Sequence, residues 1–113
     1  MSRLSRIFAA LLVGALLGGV AEAHALLLSF TVEGDSAQLH YNGRIDAARS
    51  RVSLLKEDGN PLQQLEVSAG ADLATVKASL KDVAPGSYIL RWEVLSIDGH
   101  LSRGDKKLVL PTP

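Results

Sequence analysis

Apolar and polar side chains alternate along most of this chain after residue 25. Ala37, Leu39 and Tyr41 alternate with Gln38, His40 and Asn42. Ala74, Val76, Ala78 and Leu80 alternate with Thr75, Lys77 and Ser79, and Tyr88, Leu90, Trp92 and Val94 with Ile89, Arg91, Glu93 and Leu95. A period of two places one set on a buried face and the other in water, the signature of a β-strand. Leu26 to Val32 is more continuously apolar, as for a strand covered on both faces. Arg51 to Lys56 carries Val52, Leu54 and Leu55 and runs into the turn Asp58-Gly59-Asn60-Pro61; Leu62 to Val67 is a further, weaker run. Leu108 to Leu110 closes the chain before Pro111. About seven short strands divided by Gly, Pro, Asp and Asn predict an all-β chain, an immunoglobulin-like β-sandwich. Residues 43–51 and 69–73 read as loops or single turns, with a helix over Ile45–Arg51 as the alternative for the first. The chain shows no internal repeat, low-complexity segment or interdomain linker.

The first 23 residues break the alternation. Arg3 and Arg6 precede an uncharged run from Ile7 to Val20, and Ala21-Glu22-Ala23 follows as an A-x-A site. The run is shorter than the roughly 18–20 residues that span a bilayer. The expectation is a removed signal peptide over 1–23 and one exported domain over 24–113. Ala23-His24-Ala25 is a second A-x-A, and cleavage there would remove His24. The strand starting at Leu26 favours the first site.

Composition narrows the chemistry. Lys plus Arg and Asp plus Glu both number 12. The leader removes Arg3, Arg6 and Glu22, leaving a single net negative charge, which points away from nucleic acid or an anionic membrane surface as partner. No later apolar run is long enough to span a membrane. There is no cysteine, and the only methionine is Met1 in the leader. Thiolate and thioether sites are therefore excluded, so a metal site in the mature chain must be built from nitrogen and oxygen.

Pro85-Gly86-Ser87-Tyr88 resembles the corner before a late strand of immunoglobulin-like folds, in which a tyrosine hydroxyl bonds back to upstream backbone. Trp92 shares a strand face with Tyr88, and both read as core residues rather than a ligand platform.

Cleavage after Ala23 makes His24 the first residue, with an α-amine and an imidazole available to one ion. Chelation through the amine and Nδ1 closes a six-membered ring. Asp98-Gly99-His100 supplies a carboxylate and a second imidazole two residues apart, a spacing that places both on one side of an extended strand or bent loop. Copper(II) favours a tetragonal set of such donors. The candidate ligands are therefore His24, Asp98 and His100. The plain alternative is that Asp98-Gly99 is only a turn with a solvated histidine after it. His40, on the polar side of its predicted strand, reads as an ordinary surface histidine, with an extra ligand as its functional alternative. Arg103-Gly104-Asp105 and Lys106-Lys107 read as a solvated loop.

His24-Ala25 after the leader, the segment Pro85-Gly86-Ser87-Tyr88-Ile89-Leu90-Arg91-Trp92-Glu93-Val94-Leu95-Ser96-Ile97-Asp98-Gly99-His100 and the short terminal strand resemble the CopC-type copper resistance proteins. The resemblance covers residues 80–110 and the mature N-terminus and is weak between Ser29 and Ser79. It implies a periplasmic immunoglobulin-like sandwich that binds copper(II) through residues carried over to His24, Asp98 and His100. It also implies an inner-membrane copper-transport partner of the CopD type. The family's S-x-P segment is replaced by Ser29-Phe30-Thr31-Val32, its acidic residue before the second strand's end by Gly43, and its methionine-rich copper(I) site is missing. The expected function is a periplasmic copper(II) carrier or buffer in copper resistance, storage or delivery, and not an enzyme. A metal-free immunoglobulin-like interaction module and an oxygen-activating copper enzyme are the rival classes. No acid–base pair or aromatic substrate platform supports the enzyme.

Overall fold

The computed structural model describes residues 25–112. Eight strands follow one another: β1 (Leu27–Glu33), β2 (Ser36–Tyr41), β3 (Ile45–Lys56), β4 (Pro61–Leu65), β5 (Val67–Ala69), β6 (Thr75–Ser79), β7 (Gly86–Ser96) and β8 (Leu101–Leu110). They form two antiparallel four-stranded sheets, ordered β1-β2-β6-β5 and β4-β3-β7-β8. The all-β sandwich expected from the alternation is the observed fold, with eight strands where about seven were expected. The extra strand arises because Leu62–Val67 is not one element. The chain pairs with β3 as far as Leu65, crosses at Glu66, and pairs with β6 from Val67.

The alternating residues fill the space between the sheets. Ala37, Leu39, Val76 and Ala78 from one sheet and Val52, Leu90 and Val94 from the other are fully buried. Tyr41 and Trp92 meet edge to face across the layers, ring centroids 6.4 Å apart. Such a pair adds to the burial of two large apolar surfaces. The expected corner is present: Tyr88 donates its hydroxyl to the Ala84 carbonyl at 2.6 Å.

Two segments differ from the sequence reading. Residues 45–51 are neither loop nor helix but the first half of β3. Ile45 and Asp46 pair with Ser96 and Leu95, and pairing resumes only at Arg51 with Glu93. The four intervening residues stand opposite the single residue Val94. Ser50 repairs the gap: its buried hydroxyl donates to the Asp46 carbonyl at 2.8 Å and accepts the Leu95 amide at 3.0 Å. Three extra residues hide the period of two. Residues 103–107 are likewise strand, not loop. Two of their four charges are held by the facing strand, because Arg91 stands opposite Asp105 and Glu93 opposite Arg103. Arg91 donates twice to Asp105, at 2.7 and 2.9 Å, and Arg103 donates to Glu93 at 2.8 Å. Between them Gly104 lies under the Trp92 indole, where any Cβ would overlap the ring.

β1 and β8 are edge strands of different sheets. They meet along one side of the sandwich, where Lys106 Nζ lies 5.7 Å from the centre of the Phe30 ring and the Ala25 amide bonds the Ser102 hydroxyl. No helix among the described residues is long and apolar enough to cross a membrane.

Candidate metal centre

The β7–β8 hairpin turns on Ile97-Asp98-Gly99. Gly99 donates its amide to the Ser96 carbonyl at 2.9 Å, and Ser96 donates to the His100 carbonyl at 2.8 Å. Gly99 has φ +95°, a backbone region that side-chain-bearing residues rarely occupy. A three-residue loop ending in such a glycine is a favoured way to join antiparallel strands. The consequence is a tight bend that folds Asp98 back on His100. Asp98 Oδ1 accepts the His100 amide at 3.1 Å and lies 3.0 Å from His100 Nδ1. The two side chains predicted to converge are in contact, and both are about half exposed.

That contact fixes the imidazole. An ionised carboxylate only accepts, so Nδ1 carries the proton and the lone pair of the neutral ring sits on Nε2. A carboxylate that orients a histidine through its second nitrogen is the usual support of a metal-binding imidazole. Asp98 thus orients the His100 ring through Oδ1.

Asp98 also lines a cleft of about 230 Å3 together with Ala25, Asn42, Gly43, Arg44, Ser96 and Ile97. The segment 42–45 is tied into this end of the sandwich on both sides. Arg44 accepts the Ile97 amide at 3.3 Å, and Ile45 donates to the Leu73 carbonyl at 2.9 Å. Ala25 enters the cleft from the start of β1. Its amide donates to Ser102 Oγ at 3.1 Å, and the next amide, of Leu26, donates to Asn42 Oδ1 at 2.9 Å. His24, the third expected ligand, lies outside the described residues. Among the described residues no three His, Cys, Asp or Glu side chains group as a metal site. The described part of the centre therefore provides one imidazole and one carboxylate, both hard-to-borderline donors that fit copper(II), beside the residue that follows His24 in the chain.

His40 stands elsewhere. Its neighbours Leu39 and Tyr41 face the core, so its ring is on the outer face of the first sheet. Thr75 gives its one hydroxyl proton to Asp72 at 2.9 Å, so His40 Nδ1 donates to Thr75 Oγ1 at 2.8 Å. The Thr75 hydroxyl, followed by the Ala74 amide and the nearby His40, holds the Asp72 carboxyl below its ordinary range. His40 fastens the residue 70–74 turn to β2 and does not line the cleft. A cavity of about 670 Å3 between Val32, Leu80, Val83 and Val109 is at the opposite end of β1 and β2.

Asn42 and Ser102 were not singled out by the sequence. Asn42 and Leu26 are 16 residues apart, and Ala25 and Ser102 are 77 apart. Neither pairing leaves a local pattern.

The comparisons with known proteins agree with this architecture. A sequence model of the CopC domain matches residues 29–108, which include Asp98 and His100. The chain belongs to the CopC domain family. The fold is similar to that of CopC from Methylosinus trichosporium OB3b, with a TM-score of 0.66 and 23% identity over 78% of this chain and 94% of that one. It is also similar to PcoC, a methionine-rich copper resistance protein from Escherichia coli, with a TM-score of 0.61 and 20% identity over 76% of this chain and 97% of that one. No curated protein sequence matches the chain.

Proposed function

We propose that this protein is an exported, periplasmic copper(II)-binding protein of copper resistance. It holds the ion between the amine and Nδ1 of His24, Nε2 of His100 and the Asp98 carboxylate. The observation that carries this reading is the 3.0 Å contact between Asp98 and His100 at a cleft that Ala25, the residue after His24, also lines. Family membership and the printed description of PcoC as a copper resistance protein support it. A nitrogen-and-oxygen donor set in a chain with no cysteine suits the oxidised ion rather than copper(I). The protein binds and releases its cargo, as a buffer or as a carrier serving an inner-membrane copper transporter of the CopD type, and performs no chemistry on it.

The ligands dictate the pH response. The α-amine, with an ordinary pKa of about 7.7–8.0, and both imidazoles must be deprotonated to bind. The test is a competition titration of copper(II) into protein beginning at His24 and into protein beginning at Ala25, with EPR of each complex. The expected result is tight binding with a hyperfine pattern from three nitrogens in the first, and weaker binding with fewer coordinated nitrogens in the second. Equal affinity for both forms, or a spectrum without coordinated nitrogen, overturns the reading.

A further inference from the structure

The first two peptide groups after His24 are held by side chains from two different places in the fold. Ser102, on β8, faces inward opposite the buried Val94, and its hydroxyl receives the Ala25 N–H at 3.1 Å. Asn42, just after β2, binds Leu26 twice: Oδ1 accepts the Leu26 amide at 2.9 Å, and the Asn42 amide donates to the Leu26 carbonyl at 3.0 Å.

An amine at a chain terminus can chelate a metal by either of two rings. One, six-membered, uses Nδ1 of a histidine on the same residue. The other, five-membered, uses the next peptide nitrogen, which a metal approaches along the direction of its N–H bond. At Ala25 that direction is occupied by Ser102 Oγ. A metal closing the second ring would have to displace Ser102 from that nitrogen, an exchange the first ring does not need.

We propose that Ser102 and Asn42 are positioning residues of the copper centre: Ser102 selects the amine–imidazole chelate by blocking the Ala25 nitrogen, and Asn42 sets where the chain enters the cleft. This inference rests on the binding reading above. It adds a selection device that uses neither a charged group nor a ligand.

The test uses protein beginning at His24, with copper(II) as the probe at one fixed pH. Ser102→Ala, Ser102→Thr and Asn42→Ala are compared by affinity, by the d–d absorption band and by the nitrogen hyperfine pattern. In Ser102→Ala the peptide nitrogen gives its proton to solvent and enters the donor set, so the band moves to shorter wavelength and the hyperfine pattern changes. The loss of one hydrogen bond weakens binding about tenfold. Ser102→Thr keeps the hydroxyl and the parent spectrum. Asn42→Ala weakens binding by a similar factor with the parent spectrum kept. Each alanine variant removes a single side-chain hydrogen bond, and a cooperative thermal transition close to the parent's confirms the fold. A Ser102→Ala protein whose spectrum and affinity superimpose on the parent's overturns the inference while leaving the binding reading intact. A parent protein with no amine or imidazole coordination overturns both.

Discussion

Asp98 Oδ1 lies 3.0 Å from His100 Nδ1 and accepts the His100 backbone amide at 3.1 Å. One oxygen thus fixes both the ring and the backbone of the same residue. The imidazole is oriented before any ion arrives, which lowers the ordering cost of binding. Removing the carboxylate should therefore harm the centre even where it is not itself a ligand. Asp98→Ala is expected to lower copper(II) affinity about 10–100-fold, and His100→Ala at least as much, measured by competition titration. Asp98→Asn, which keeps the size and a hydrogen-bonding oxygen, should fall between the parent and Asp98→Ala. If Asp98→Ala binds like the parent, the orienting role is wrong.

The cross-strand pair Arg91–Asp105 sets an acid limit to stability. The Arg91 guanidinium holds the Asp105 carboxyl below its ordinary value of 3.8, and the carboxylate raises Arg91 in turn. A carboxyl depressed in the folded state contributes stability above its unfolded pKa, and that contribution is lost as pH falls through the folded one. The loss should therefore begin below about pH 4. Both side chains are about half exposed, so the effect is small. Asp105→Asn should narrow the gap between melting temperatures at pH 7 and pH 2.5. An unchanged gap would assign the acid sensitivity to other carboxylates.

Gly104 is irreplaceable for a reason of space. A Cβ at that position overlaps the Trp92 indole, which is itself packed against Tyr41. Gly104→Ala should destabilise the domain by about 1–3 kcal/mol, seen as a lowered chemical-unfolding midpoint. The same substitution at Gly43, where nothing lies within 4 Å, is the control and should be nearly silent.

Two tyrosines should respond in opposite directions to loss of the hydroxyl. Tyr88→Phe removes the bond to Ala84 and should cost about 1 kcal/mol. The Tyr41 hydroxyl is buried with no partner among the described residues, and burial pushes its pKa upward. Tyr41→Phe should be neutral or stabilising by a similar amount, since an unpaired polar group leaves the core. Thermal unfolding of the two variants side by side decides the matter, and a loss in Tyr41→Phe would mean the hydroxyl has a partner.

The strands legible in the sequence are those whose inner face meets the opposite sheet without interruption. Leu39 and Tyr41, Val76 and Ala78, Leu90 and Trp92 keep a strict period of two because the ladder beneath them is regular. β3 was half hidden because four residues between Asp46 and Arg51 leave the ladder and Ser50 bridges the break. Of β8 only Leu108 to Leu110 was legible, because Arg103 and Asp105 find their partners across the sheet, so charge density there signals pairing rather than solvent. The sheet change at Glu66 has no local mark at all. At the centre, Asp98-Gly99-His100 was readable because three adjacent residues make the turn and carry the donors. Asn42 and Ser102 were not, since their partners are distant in the chain.

The hydrogen bond from Ala25 to Ser102 spans 77 residues and ties the segment leading into the outermost strand of one layer to the outermost strand of the other. An ion gripped at this spot would circularise almost the whole domain. Cross-links that enclose long loops remove the most freedom from the unfolded chain. If the proposed ion binds there, a protein with no cysteine would gain a detachable rivet from its own cargo, and its resistance to unravelling would become a readout of how full it is.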